Sequence, residues 1–123
     1  MKSHNSLQNM DSTEKLVQYF VIYANYNVMI GISTMKQLYH TNNHLFIKKG
    51  RGMQTVLEKI IFEGQMEGKI ITELSPGEIT DHLFIAARGV IYDWCLHDGD
   101  YNLSEKMQNY MNRLVVIFQY PKL

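Results

Sequence analysis

His40 and His44 are four residues apart, a spacing that brings two imidazoles to one face of a helix where they could hold a divalent metal. The intervening Thr41-Asn42-Asn43 favours a helix end over a continuous helix. Neither histidine is followed by the glutamate of a His-Glu-x-x-His hydrolase motif. The pair reads as a solvated helix end, and no metal is assigned to it. Asp98-Gly99-Asp100-Tyr101-Asn102 begins like a calcium loop, but Leu103 stands where such a loop needs glycine and Asn109 where it needs a bidentate glutamate. A turn that ends one helix and caps the next explains it better.

Covalent and acid-base chemistry have little footing in these residues. The chain lacks a Gly-x-Ser-x-Gly elbow, a phosphate-cradling Gly-x-x-x-x-Gly-Lys loop and the Glu-x-x-His pairs that build di-iron sites in helical bundles. Cys95, between Trp94 and Leu96, reads as a packed thiol. The expectation is a protein without enzymatic activity and without a cofactor.

Binding chemistry is better represented. The chain carries eight tyrosines and eight methionines, and Tyr19, Tyr23, Tyr26, Met29, Met35 and Tyr39 concentrate in one stretch. Methionine adapts its shape and tyrosine joins an apolar ring to a polar tip, so together they can line a permissive apolar pocket or fill a core. Arg88 interrupts an otherwise apolar helix. Asp81 lies two turns earlier on nearly the same face, so Arg88 either belongs to a polar rim or an ion pair across an interface, or receives an anionic ligand.

The elements that carry these residues are helical. Asp11-Ser12-Thr13-Glu14 is a capping-box sequence, and Leu16, Tyr19, Phe20, Tyr23 and Ile30 follow at helical spacing. The pattern predicts helices over about 12–27 and 28–41, with a weak point at Asn25-Tyr26-Asn27. A break at Thr41 to His44 and loosening by Gly50 and Gly52 place the next helix from Met53 to about Gly68, with Val56, Leu57, Ile60, Ile61 and Gly64 on one side. Ser75, Pro76 and Glu78 then give an N-cap, a first-turn proline and a capping-box acid, with Leu74 and Ile79 as a hydrophobic staple. The long helix they start runs to about 97. Ile79, Leu83, Ala86, Val90 and Trp94 form one stripe on it, widened by Phe84, Ile91 and Cys95 to roughly half the circumference, which requires more than one neighbour. Gly99 is placed to supply a left-handed cap, and Asn102 with Glu105 to start a last helix whose stripe is Leu103, Met107, Met111, Leu114 and Phe118. Five helices with short links and no alternating strand pattern give an all-α bundle.

Twelve basic and twelve acidic residues cancel, and only Lys48-Lys49-Gly50-Arg51 clusters. A phosphate backbone binds mainly through clustered cations, so no DNA-binding residue is assigned. The longest apolar runs, Phe20 to Ala24 and Leu114 to Phe118, fall far short of the ~20 residues of a membrane helix. A lone cysteine and a polar start without a signal peptide suit the cytoplasm.

The run from Leu83 to Leu96, with Gly89 near its middle and Trp94 near its end, passes through His97-Asp98-Gly99-Asp100 into a final amphipathic helix. It resembles the C-terminal regulatory domain of TetR-type bacterial transcriptional regulators. Glu63-Gly64-Gln65-Met66-Glu67-Gly68-Lys69-Ile70 resembles the segment preceding the long helix there, and the similarity spans most of residues 12–119. Residues 1–10 then read as a polar tail or linker and 11–120 as an effector-binding and dimerisation domain. The family's N-terminal helix-turn-helix has no counterpart before Asp11, so DNA contact is expected through a domain outside this sequence.

The resemblance also weights the Tyr/Met stretch towards an effector pocket between the middle helices. Its expected walls are Tyr19, Tyr23, Met29, Leu57, Ile60 and Phe84, with Arg88 orienting a polar end of an apolar or amphipathic small molecule. It further implies a homodimer in which the last two helices of each subunit form a four-helix bundle. Gly89, which costs about 1 kcal/mol relative to alanine within a helix, suits close approach by another helix. Ile85, Ala86, Gly89 and Leu96 on the long helix and Tyr110, Ile117 and Tyr120 on the last are the expected contact surface. A helical dimerisation module that binds no ligand is the alternative.

Overall fold

The computed structural model describes residues 10–41 and 44–121, apart from the side chains of 44–51. Among these residues the chain forms five α-helices and no strand: α1 (Ser12–Ile30), α2 (Ile32–His40), α3 (His44–Met66), α4 (Pro76–Leu96) and α5 (Leu103–Leu114), followed by a 3-10 turn (Val115–Phe118). None of the described helices is long and apolar enough to cross a membrane. The residue 1–9 part of the expected tail lies outside the described residues.

Local chemistry starts three of these helices as expected. The Asp11 carboxylate accepts from the Glu14 amide at 2.9 Å while Glu14 accepts from the Asp11 amide at 3.2 Å, and Ser75 with Glu78 repeats the reciprocal pair. Asn102 caps α5 by accepting from the Glu105 amide at 3.0 Å.

Three expected boundaries are corrected. α1 runs through Asn25-Tyr26-Asn27, because buried Asn27 turns its amide back onto its own helix and donates to the Tyr23 carbonyl at 2.7 Å. The break falls instead at Gly31, whose φ of 100° is open to glycine and strained for other residues. α3 begins at His44 and not near Met53. Each residue added to an existing helix gains a backbone hydrogen bond, which offsets the lower propensity of Gly50 and Gly52. The last helix ends at Leu114 and tightens into the 3-10 turn.

α1 lies antiparallel to α5. The Gln119 amide donates to Thr13 at 3.2 Å near one end, and Ser104 hydrogen-bonds Asn25 near the other. α3 also runs antiparallel to α1, bringing Gly64 against Ser12 and the Met53 carbonyl to the Tyr19 hydroxyl. Leu16 and Phe20 of α1, Leu57 and Ile61 of α3, Leu83, Phe84 and Ile91 of α4, and Met107 and Met111 of α5 fill the common core. The chain end is pinned to the α3–α4 connection: the Ile71 amide donates to Phe118 at 2.9 Å and the Tyr120 amide to Lys69 at 3.0 Å.

Candidate functional site

Helical spacing on α1 directs Tyr19, Phe20 and Tyr23 towards α4, where Phe84 meets all three edge-on, with ring centroids 6.4, 5.1 and 5.5 Å away. Phe84 is 1% exposed. The Tyr19 hydroxyl donates to the Met53 carbonyl at 2.7 Å, and burial pushes its pKa up to about 12. Leu57 is buried in the same core and Ile60 packs against it. Six of the seven residues expected to wall a pocket thus fall in or against the bundle interior, counting half-buried Arg88. Met29 stands apart from them on α1, 82% exposed.

Arg88 and Tyr39 connect this interior to the space beyond it. The Tyr39 hydroxyl donates to the Arg88 carbonyl at 3.3 Å, holding α2 against α4. Burial raises the pKa of both Tyr23 and Tyr39, and the Arg88 charge opposes the rise at each. These phenols remain protonated at neutral pH, and the Tyr39 proton is the one given to the Arg88 carbonyl.

An open cleft of about 610 Å³ lies on the outer side of this junction, lined by Lys36, Tyr39 and His40 of α2 and Tyr92, Cys95 and Leu96 of α4. Tyr39 and Tyr92 meet ring to ring at 5.7 Å. Lys36 bridges to Asp98 in the following turn, where Asp98 and Gly99 both adopt positive φ, 55° and 69°. Cys95 is nearly buried, and desolvation raises its thiol pKa despite nearby Lys36, so it is a poor nucleophile at neutral pH. His40 lines the cleft, whereas the side chain of His44 lies outside the described residues. No group of three potential metal ligands occurs among the described residues.

Sequence reasoning missed the cleft because its lining comes from two helices more than fifty residues apart. Its available signal was Tyr39, already conspicuous in the Tyr/Met stretch. Asp81, which shares a face of the long helix with half-buried Arg88, is exposed.

A second feature is the outer face of α4. Residues 85, 89, 92 and 96 recur at spacings of four, three and four, one helical face, and all four are exposed, Ile85 by 62% and Leu96 by 64%. Gly89 has no neighbouring heavy atom within 4 Å of where its β-carbon would stand. Ala86, one position aside, is half-buried against the core. Tyr110, Ile117 and Tyr120 are exposed on α5 and the segment after it.

A family model described as YsiA-like protein, C-terminal region, of the TetR C-terminal type, matches residues 4–117. No curated protein and no solved structure matches the chain.

Proposed function

Because the chain belongs to this TetR-type family of C-terminal domains, we propose that it is the regulatory domain of a bacterial transcriptional regulator. In this reading it forms a homodimer through α4 and the end of the chain, and binds an apolar or amphipathic small molecule. Occupancy is transmitted to a DNA-binding segment outside these residues. The family supports a regulatory role in place of an enzymatic one.

The observation that carries the reading is the uncovered apolar face of α4. Large side chains such as Ile85 and Leu96 lose favourable burial when left in water, about 25 cal/mol per Å² of apolar surface, and contiguous patches of this kind mark interaction surfaces. Exposed Tyr110, Ile117 and Tyr120 extend the apolar material to the last elements. Two helices from each of two copies would make a four-helix interface.

The effector is assigned to the α2–α4 cleft, with Tyr39 and Arg88 linking it to the ring cluster. Edge-to-face packing of Tyr19, Tyr23 and Phe84 favours a core role for those rings, so they support the site from behind.

Sedimentation velocity on the full chain tests the assembly, and a thermal-shift screen of apolar and amphipathic compounds tests the binding. A ligand selective for the folded state raises stability by about 2.7 kcal/mol at a hundredfold excess over Kd. A monomer at micromolar concentration would overturn the first part, and a screen without a stabilising compound the second.

A further inference from the structure

Tyr92 and Leu96 belong to two features at once. They line the cleft, and they occupy the exposed 85, 89, 92, 96 face of α4. The Tyr92 ring leans on Tyr39 across the cleft, yet Tyr92 is 49% exposed. We propose that the cleft is completed by a second copy of this chain, so that a bound molecule touches both protomers, and that this molecule is an aromatic anion. The inference rests on the dimer reading above.

Small-molecule sites bury most of their ligand's surface. Two helices alone leave this cleft open, and Tyr92 and Leu96 of its lining are exposed. A second copy seated on the α4 face meets the outer sides of those residues and closes the opening, and Gly89, with no side chain between them, lets the two backbones approach closely.

The lining sets the ligand class. Tyr39 and Tyr92 offer ring faces and edges to an aromatic group. Lys36 supplies a cation, His40 adds ring nitrogens, and none of the six lining residues is acidic. Lys36 is engaged by Asp98, but both side chains are substantially exposed, and exposed pairs are weak enough for an anion to compete.

The test uses the full chain with anilinonaphthalene sulfonate, a fluorescent aromatic anion, as probe. Ile117→Glu charges the proposed dimer face away from the cleft, and Lys36→Ala removes the cation without touching that face. Circular dichroism checks that each variant is folded, with Tyr110→Glu replacing Ile117→Glu if the latter unfolds. The dimeric wild type should bind the probe saturably. The monomeric variant should lose about tenfold or more in affinity, and Lys36→Ala should bind several-fold more weakly with unchanged sedimentation. A folded monomeric variant that binds as tightly as wild type overturns the shared site while leaving the dimer intact. A monomeric wild type overturns the dimer reading and the shared site with it, and absence of saturable binding or an unaltered Lys36→Ala overturns the ligand class.

Discussion

Gly64 of α3 stands so close to Ile70 that a β-carbon at position 64 would lie 2.5 Å from the isoleucine Cδ1, and 2.7 Å from the Ser12 hydroxyl of α1. Ile70 is fully buried, so its side chain has little room to withdraw. The glycine lets α1, α3 and the loop after α3 converge at one point.

Gly64→Ala is therefore expected to destabilise the fold. Alanine gains about 1 kcal/mol of helix propensity over glycine, against overpacking that typically costs about 1–3 kcal/mol, and contacts this short favour the upper part of that range. Urea denaturation should give a lower midpoint with an unchanged slope. An equal or higher midpoint would show that Ile70 and Ser12 yield easily.

Gly89 poses the opposite case, since nothing in its own chain faces it. Gly89→Leu should make the isolated protomer more stable by up to about 1 kcal/mol through helix propensity, and should weaken the dimer by keeping the two α4 helices apart. Sedimentation equilibrium reads the second effect and denaturation at low protein concentration the first. A dimer constant equal to wild type would remove Gly89 from the interface.

At the end of α4, His97 donates through Nδ1–H to the Asp93 carbonyl at 2.8 Å, with the Asp93 carboxylate 3.5 Å away. That carbonyl, then the carboxylate, raises the imidazole pKa above its ordinary value. A raised folded-state pKa means stabilisation that is full below the unfolded value, about 6.5, and fades as pH rises through the folded value. NMR titration should place His97 above an unstructured histidine, and Asp93→Asn should bring it down. A titration at the ordinary value would rule out the interaction.

Much of the fold was legible because helix starts are local chemistry. Asp11, Ser75 and Asn102 each cap through residues three positions away, so sequence spacing suffices to find them. The end of α1 was harder to place: Asn27 carries a turn-forming side chain, but burial and a bond to Tyr23 keep it helical. The candidate site was legible only in its parts. Tyr23, Arg88 and the exposed α4 residues could be picked out singly, whereas the pairing of Tyr39 with Arg88 and Tyr92 depends on tertiary packing that no short-range pattern encodes. Met29 shared the Tyr/Met enrichment, but its helical phase turns it outward.

Phe84 decides how the ring cluster should be understood. The sequence suggested that it walls an effector pocket, whereas the structure surrounds it with Tyr19, Phe20 and Tyr23 and leaves it 1% exposed. Removing a packed phenylalanine costs its transfer free energy and that of the cavity left behind, together about 3–5 kcal/mol for Phe→Ala. A residue lining an existing void has fewer contacts to lose and a smaller penalty. Phe84→Ala should thus fall in the larger range by denaturant titration and create an apolar cavity that small aromatic compounds can fill. Toluene should raise the melting temperature of Phe84→Ala more than that of wild type. A small loss of stability, with wild type already responding to toluene as strongly as the variant, would return the effector pocket to the ring cluster and away from the α2–α4 cleft.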